Sequence, residues 1–402
     1  MTLNSTPSAN RIHIGVFGRT NSGKSSFINA FSGQNVSITA NVAGTTTDPI
    51  YKPMEINPIG PCVIIDTAGL DDKSELGKRR IEKTKLAAEK SDVAIIVISS
   101  EINDFDSLND GEFKWYNYFR KKDTPVIFVI NKIDLNENTG NLKEYITHKI
   151  KDCLIIELSA KTKEGMDDFK KSLVSLSLEE ERTITGNLVK KGDMVLLVMP
   201  QDIQAPKGRL ILPQVQTIRE LLDKKCKVLS VTTDQYVEAL DMLKEVPKII
   251  ITDSQVFDYV YENKPKESLL TSFSVLFAAS LKGDINYYLG SVKCIDKLTE
   301  NSKVLIAECC SHAPLEEDIG REKIPKMLKK RIGDNLTIDI VSGNDFPENL
   351  KEYDLIIQCG ACMFNRKYVM SRVESAISQG VPMTNYGVTI AYIKGILEKI
   401  EV

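Results

Sequence analysis

The sequence predicts an α/β protein with mostly parallel sheets, arranged in three successive domains. From Arg11 onward, short apolar runs of strand length alternate with amphipathic helical patterns, which is typical of a parallel sheet covered by helices. A chain of 402 residues is too long for one ordinary hydrophobic core. A polar, charged stretch at 179–192 ends the first block of alternation, and a third block begins near Pro265.

The predicted domains span residues 8–180, 186–264 and 265–402. In the first, the apolar runs predict strands at 12–17, 62–66, 93–99, 126–131 and 154–158. The second has strand patterns at 194–199, 227–231 and 248–252 and a helix pattern at 215–225, but no catalytic constellation, so we expect a small interaction or dimerisation module or a spacer. The third has strand patterns at 304–308, 336–341 and 354–358 and a helix pattern at 321–331.

The composition is that of a soluble globular protein. The net charge is −3 and no concentrated basic face is present, so we expect no nucleic-acid partner. No uncharged apolar run approaches the roughly 18 residues of a membrane span. The first ten residues are polar and lack a secretory signal, so we expect a cytoplasmic protein whose eight cysteines are mostly reduced.

The first predicted strand runs into a complete phosphate-loop motif, G-x-x-x-x-G-K-S, followed by a helical stretch. Its glycines let backbone N–H groups face phosphate oxygens, Lys24 adds a point charge and Ser25 offers a hydroxyl to Mg²⁺. The predicted nucleotide-binding residues here are Gly18, Asn21, Ser22, Gly23, Lys24, Ser25 and Ser26.

Two later motifs select guanine. Asn131, Lys132 and Asp134 form N-K-x-D at a strand end, where the carboxylate can accept two hydrogens that guanine offers and adenine does not. Ser159, Ala160 and Lys161 follow the next strand and should cover the base. The sequence therefore predicts GTP as the nucleotide.

Between these motifs lie the residues expected at the γ-phosphate. Asp66 and Gly69 belong to D-x-x-G at the end of a strand, where Asp66 would hold Mg²⁺ through water and the Gly69 amide would meet the phosphate. Thr46 stands in a threonine triplet that could supply a second hydroxyl to Mg²⁺. We predict GTP hydrolysis, with Lys24, Thr46 and Gly69 as catalytic residues.

Residues 11–175 resemble the translation-factor-like GTPases, most closely the branch of MnmE and Era-like proteins. Asn21 and the run Ala43-Gly44-Thr45-Thr46-Thr47-Asp48 carry this resemblance. Leu70 follows the D-x-x-G motif and cannot orient water by hydrogen bonding. The resemblance implies that Asn21 binds K⁺ and that K⁺ stimulates hydrolysis; alternatively, Asn21 only caps a turn.

Three cysteines stand apart from the other five. Cys310 lies in C-x-H-x-P and Cys359 and Cys362 form C-x-x-C, each group just past an apolar strand. Thiolates in this spacing suit zinc, an iron–sulfur cluster or redox chemistry. Ligands of parallel sheets bind at the carboxyl ends of strands, so the groups could meet there, with Cys309 as a rival ligand.

A GTPase domain combined with these cysteine motifs resembles the HydF family, scaffold GTPases of [FeFe]-hydrogenase maturation, over the whole chain. The resemblance implies a [4Fe-4S] cluster on Cys310, Cys359 and Cys362 that helps to carry a di-iron precursor, and a homodimer built through the middle domain. It also implies radical-SAM maturation enzymes and the apo-[FeFe]-hydrogenase as partners. Gln358 stands where many members have histidine, which leaves the fourth iron ligand open to His312 or to a carboxylate, Glu316 or Glu317.

Two other functions fit parts of the sequence. An RNA-acting GTPase of the tRNA-modification or ribosome-assembly kind would need a basic RNA-binding domain, and the third block offers thiols and acidic residues instead. A GTPase with a zinc interaction module would need four closed ligands. Metal content distinguishes these alternatives.

Overall fold

The computed structural model describes residues 8–33, 48–67, 69, 75–136, 139–151, 153–177, 183–200, 210–280, 283–309, 318–361 and 363–401, with the backbone alone for 75–80 and 177. The chain divides into two compact units, Met1–Glu181 and Arg182–Val402. Within the described ranges no helix is long and apolar enough to cross a membrane.

The first unit is built on one sheet. Its strands are β1 (Ile12–Phe17), β2 (Ile50–Ile56), β3 (Gly60–Asp66), β4 (Val93–Ser99), β5 (Val126–Asn131) and β6 (Leu154–Glu157), and its helices are α1 (Lys24–Ser32), α2 (Glu75–Glu89), α3 (Glu112–Lys121), α4 (Gly140–Lys149) and α5 (Met166–Ser177). The strand order is β2-β3-β1-β4-β5-β6, and β2 alone among these six runs antiparallel to its neighbour.

The two faces of this sheet carry separate cores. Ile14, Ile95 and Val129 pack on one face, while Phe17 and Phe128 pack on the other. Because the inner strands are buried on both faces, they appear in the sequence as continuous apolar runs. The strand order reverses at β1, which has β3 on one side and β4 on the other, so a crevice for ligands is expected where β1 ends.

The second unit contains two parallel sheets. The middle sheet has β7 (Met194–Val198), β8 (Lys227–Val231), β9 (Ile249–Thr252) and β10 (Leu269–Ser272) in the order β10-β9-β7-β8, with helices α6 (Leu212–Asp223), α7 (Tyr236–Met242), α8 (Phe257–Asn263) and α9 (Phe273–Ser280). The C-terminal sheet has β11 (Lys303–Ala307), β12 (Thr337–Val341), β13 (Leu355–Gln358) and β14 (Met383–Asn385) in the order β12-β11-β13-β14, with helices α10 (Ile285–Val292), α11 (Ile324–Ile332), α12 (Arg366–Gln379) and α13 (Tyr386–Ile393).

A shared hydrophobic core joins these two sheets. Leu196 and Ile250 of the middle sheet belong to the same buried cluster as Val304 and Ile356 of the C-terminal sheet. The hydroxyl of Thr271 also donates to the carbonyl oxygen of Glu401, at 2.7 Å. The middle sheet and the C-terminal sheet therefore share one continuous hydrophobic core.

The predicted α/β class with mostly parallel sheets is confirmed. The predicted strands are all present, with ends displaced by at most two residues, whereas β2, β10 and β14 were not predicted. β2 is hard to recognise in the sequence because it contains Pro53 and its residues alternate between more and less buried. The strand tolerates a proline because it lies at the edge of the sheet. The residues of β10 fall in the predicted third block, yet β10 pairs with β9, because strand pattern does not specify which sheet a strand joins.

Candidate nucleotide site and cysteine edge

The phosphate loop connects β1 to α1 and requires both of its glycines. Gly18 has a φ of +146° and Gly23 a φ of +90°. A Cβ on Gly18 would lie 2.3 Å from the carbonyl oxygen of Val97, and one on Gly23 would lie 2.3 Å from Nδ2 of Asn131. Only glycine fits either position, so the loop can curl tightly and present the first N–H groups of α1 to an anion.

Lys24 lies inside this curl. Its side chain is buried, and Nζ donates to the carbonyl oxygens of Gly18 at 2.8 Å and Arg19 at 2.7 Å. The buried hydroxyl of Ser22 has no hydrogen-bond partner in the described structure, so it offers a donor to a phosphate oxygen. Asn21, at a φ of +64°, is exposed at the top of the loop. Ser25 and Ser26 follow Lys24 in the first turn of α1.

Asp66 ends β3 directly beside the phosphate loop. It is aligned with Val16 in the β1–β3 register. Burial raises the pKa of the Asp66 carboxyl, and the nearby charges of Lys24 and Lys52 act in the opposite direction. A divalent cation beside Asp66 would relieve this burial cost. Gly69 follows β3, while the predicted Thr46, and Leu70, lie outside the described residues.

The guanine motifs are connected to one another and to the phosphate loop. Asn131 is 1% exposed, donates from Nδ2 to the carbonyl oxygen of Ser22 at 3.2 Å, and accepts from the Ala160 backbone N–H at 3.0 Å. Asp134 accepts from the Ser159 hydroxyl at 2.6 Å. These bonds fix the Asp134 carboxylate relative to the phosphate loop.

The two lysines of these motifs lie at the rim. Nζ of Lys132 pairs with Glu101 at 2.7 Å, and Nζ of Lys161 lies 3.9 Å from Asp134. At one edge of the sheet, where β1, β3, β5 and β6 have their carboxyl ends, the structure therefore brings together Gly18, Asn21, Ser22, Gly23, Lys24, Ser25, Ser26, Asp66, Asn131, Lys132, Asp134, Ser159, Ala160 and Lys161.

Sequence reasoning missed the role of Arg19 in the phosphate loop. Its Nε donates to both carboxylate oxygens of Glu112, at 3.0 and 3.1 Å, and its guanidinium also contacts Ser107 through the hydroxyl and the carbonyl oxygen. Glu112 is 1% exposed at the start of α3. The guanidinium is thus directed to α3, and no spacing rule in the sequence identifies a partner so far along the chain.

A second candidate site lies at the carboxyl ends of β11 and β13, here called the cysteine edge, formed by Cys309 and Cys359. The two strands are neighbours, with Ala307 aligned to Gln358. The Cys359 N–H donates to the Ala307 carbonyl oxygen at 3.0 Å, and the Cys309 N–H donates to the Cys359 sulfur at 3.1 Å. The expectation that these two strand ends meet is therefore confirmed.

Unpartnered polar atoms surround this edge. Gln358 is fully buried, and neither its Oε1 nor its Nε2 has a hydrogen-bond partner in the part of the chain that the structure describes. The buried hydroxyl of Tyr386 also lacks one, and burial raises the pKa of that phenol, with Cys359 and Glu308 adding to the rise. Buried polar groups left without partners are uncommon and point to an additional group that would satisfy them.

The described part of the cysteine edge fits an iron–sulfur cluster. Cys359 would supply a thiolate at the strand end, Ala361 has a φ of +51°, and Gln358 provides hydrogen-bonding atoms without partners among the described residues. No group of three or more His, Cys, Asp or Glu side chains suited to a metal occurs among the described residues. The other predicted ligands, Cys310, Cys362, His312, Glu316 and Glu317, lie outside those residues.

Family models match segments in both units of the chain. Residues 13–132 match a family model described as "50S ribosome-binding GTPase". The MnmE tRNA modification GTPase of Chromobacterium violaceum is 32% identical over 166 residues, covering 41% of this chain and 34% of that protein. The mitochondrial tRNA modification GTPase mss1 of Schizosaccharomyces pombe is 34% identical over 190 residues, covering 44% of this chain and 38% of that protein. The chain thus spans little more than a third of the length of these relatives.

Solved structures show weaker likenesses. Era in complex with MgGDPNP and 16S ribosomal RNA is 20% identical with a TM-score of 0.37, covering 55% of this chain and 92% of that chain. A probable GTP-binding protein engB is 22% identical with a TM-score of 0.34, covering 41% of this chain and 98% of that chain.

The second unit matches two further models. Residues 184–283 match the hydrogen maturase F dimerization domain, and residues 286–401 match the hydrogen maturase F tetramerization domain. Both matched segments lie C-terminal to residues 13–132, which match the GTPase model. The chain therefore belongs to the hydrogen maturase F family, HydF.

Proposed function

We propose that this chain is a GTP-binding and GTP-hydrolysing scaffold that carries an iron–sulfur cluster in [FeFe]-hydrogenase maturation. The observation that carries the proposal is the placement of Cys359 against the end of β11, at the switch point of a sheet that belongs to a hydrogen maturase F module. We expect it to act in the cytoplasm, with radical-SAM maturation enzymes and the apo-hydrogenase as partners.

The geometry of the first unit supports GTP as the substrate. Asp134, oriented by Ser159, faces the place where guanine would donate two hydrogens, and adenine would leave this carboxylate without donors. Lys24 and the N–H groups of α1 would stabilise the phosphate charge. Hydrolysis needs little from the chain beyond positioning and charge, since phosphoryl transfer depends on electrostatic stabilisation.

Two cations are part of this proposal. Mg²⁺, when bound, supplies a charge that neutralises the phosphate oxygens, and Ser25, Thr46 and Asp66 would hold it. We further propose that Asn21 binds K⁺, because Arg19, the loop's own guanidinium, is bound to Glu112 and is not directed at the phosphates. A monovalent cation would then supply the charge that an arginine finger supplies in other GTPases.

At the cysteine edge, Cys310, Cys359 and Cys362 would ligate a [4Fe-4S] cluster, with His312 or a carboxylate such as Glu317 at the fourth iron. The cluster, when bound, supplies an exchangeable iron site at which a di-iron precursor can be held. Gln358 and Tyr386 would offer the hydrogen bonds to it that they lack in the described structure. A replaceable fourth ligand suits a scaffold protein, because the di-iron precursor must be released as well as bound.

A homodimer through the middle module is the proposed assembly. The family model for residues 184–283 is named for dimerization, and β8 is an outer strand of the middle sheet. Outer strands offer unpaired backbone groups to a second copy. Light scattering of the full chain should give at least twice its monomer mass, and a monomer at micromolar concentration would contradict the assembly.

The decisive experiment is anaerobic reconstitution followed by iron and labile sulfide analysis of three proteins. The wild type and the control Cys294→Ala should each take up about four irons per chain, and Cys359→Ala should take up far fewer. Cys294 lies on the same module, in the turn Lys293–Lys297. Zinc in place of iron would favour the interaction-module alternative, and metal-free protein that binds RNA would favour the RNA-acting alternative.

A further inference from the structure

Arg372 is a buried arginine beside the cysteine edge. It lies on α12 with 3% of its surface exposed. Arg19, Arg219, Arg321 and Arg331 each form an ion pair with a carboxylate, whereas no carboxylate in the described ranges pairs with Arg372. Burying a positive charge without a negative partner costs free energy, so the presence of Arg372 at this position needs an explanation.

The surroundings of the guanidinium compensate it only in part. Its Cζ lies 4.7 Å from the ring centroid of Phe346 and 4.8 Å from those of Phe364 and Tyr368. Nη2 donates to the carbonyl oxygen of Gly343 at 2.5 Å and lies 3.5 Å from the Tyr368 hydroxyl, while Nε has no hydrogen-bond partner among the described residues. The three rings hold the guanidinium in place without neutralising it.

The remaining contact points to the cysteine edge. Nη1 of Arg372 lies 4.0 Å from the sulfur of Cys309, and the N–H of Cys309 donates to the sulfur of Cys359 at 3.1 Å. Cys309 itself is buried with Ala361 and Val369 in a small apolar cluster. The positive charge thus lies beside Cys309, the residue that precedes the proposed ligand Cys310 in the sequence. The buried surroundings screen this charge weakly.

We propose that Arg372 is a positioning residue whose buried charge compensates the negative charge of an iron–sulfur cluster bound through Cys359. The inference rests on the proposed function. A cluster ligated by thiolates gains one more negative charge when it takes up an electron, and net charge is one of the factors that set its reduction potential. The guanidinium therefore stabilises the reduced state more than the oxidised state and raises the potential.

A purely structural role predicts a different result. An arginine that only stacks on Phe346, Phe364 and Tyr368 would affect folding or cluster content, and its loss would leave the potential of any assembled cluster unchanged. Lysine at this position keeps the charge but loses the planar stacking, whereas methionine keeps a similar length and loses the charge. These two substitutions therefore separate charge from packing.

The test is an EPR-monitored titration with dithionite, the one-electron donor, on wild type, Arg372→Met, Arg372→Lys and the control Arg331→Met. Arg331 lies in the last turn of α11, pairs with Asp296 and is half-exposed. Arg372→Met should lower the midpoint potential by the equivalent of about a tenfold change in the reduction equilibrium, about 59 mV. Arg372→Lys should recover most of this shift, and Arg331→Met should match the wild type.

Iron and sulfide contents, measured first, distinguish failure of the proposed cluster site from failure of the proposed role of Arg372. Wild type without iron would refute the cluster and the counter-charge together. Iron in all four proteins with equal potentials would refute only the role of Arg372. If Arg372→Met folds but binds no cluster, restored loading in Arg372→Lys supports the charge, and failure of Arg372→Lys to load overturns it.

Discussion

Nε of Arg19 donates to both carboxylate oxygens of Glu112, so the guanidinium of the phosphate loop is bound to helix α3. The loop that should hold the phosphates therefore carries a positive side chain that does not point at them. The ion pair thus connects the phosphate loop, which follows β1, to α3, which comes after β4 in the chain. The strand order of the sheet reverses at β1. We base two predictions on this contact, one for the effect of K⁺ on hydrolysis and one for the stability of the GTPase unit.

Hydrolysis should depend on the monovalent cation. Turnover of GTP in KCl should exceed that in NaCl at equal ionic strength by at least about tenfold, because Arg19 is unavailable and K⁺ would supply the missing charge. Asn21→Gly should abolish the difference, since glycine accepts the φ of +64° at this position and removes only the amide. Asn109→Ala, in the exposed turn Asp106–Asn109, is the control. Equal rates in the two salts would exclude the K⁺ site.

Glu112→Gln should destabilise the GTPase unit by about 2 kcal/mol. Breaking a fully buried ion pair costs about 3–5 kcal/mol, and the cost is lower here because Arg19 is partly exposed and keeps Ser107. The single tryptophan of the chain, Trp115, lies on α3, so urea unfolding followed by its fluorescence reports on this unit. Asp168→Asn removes an exposed pair with Lys171 and should change the stability by less than about 0.5 kcal/mol. Similar effects of the two substitutions would contradict the assigned importance of Glu112.

Asp134→Asn should lower GTP affinity about 100-fold. The carboxylate loses its charge, and charge-assisted hydrogen bonds contribute roughly 1.5–3 kcal/mol each. The amide can instead donate to an oxygen, so affinity for xanthosine triphosphate should rise. Fluorescent-nucleotide titration measures both affinities, with Asp168→Asn as the exposed control. A variant that retains GTP affinity would place the base elsewhere.

Asp66→Asn should weaken hydrolysis and stabilise the nucleotide-free unit. Burial raises the pKa of Asp66 in the folded state, so the folded chain disfavours the charged carboxylate. This cost is absent below the ordinary pKa of about 3.9 and is fully present above the raised folded value, so the gain from asparagine should appear as the pH rises through that interval. Turnover should fall about 100-fold or more, because the cation loses a partner.

The check is urea unfolding of the nucleotide-free protein, followed by Trp115 fluorescence at pH 3.5 and pH 7. The wild type and Asp66→Asn should differ at pH 7 and converge at pH 3.5. A variant that is less stable than the wild type at pH 7 would show that hydrogen bonds to the carboxylate outweigh its burial.

Much of the GTPase unit could be predicted from the sequence because its information is local. The phosphate loop needs glycines at two positions of one short segment, and the inner strands are continuous apolar runs that can be recognised without their partners. The edge strand β2 escaped prediction because half of its side chains face outward and it contains Pro53. The short strand β14 offers too few residues for any period to show.

The sequence by itself determined the α/β class, the motifs of the guanine nucleotide site and the position of Cys359 just after a buried strand. Only the tertiary structure decided that Glu112 binds Arg19, that β10 pairs with β9 and that Arg372 faces Cys309. The physical reason is the range of the interactions. Helix and strand patterns and loop glycines act within a few residues, whereas a buried ion pair or an uncompensated charge depends on which distant segments the packed cores bring together.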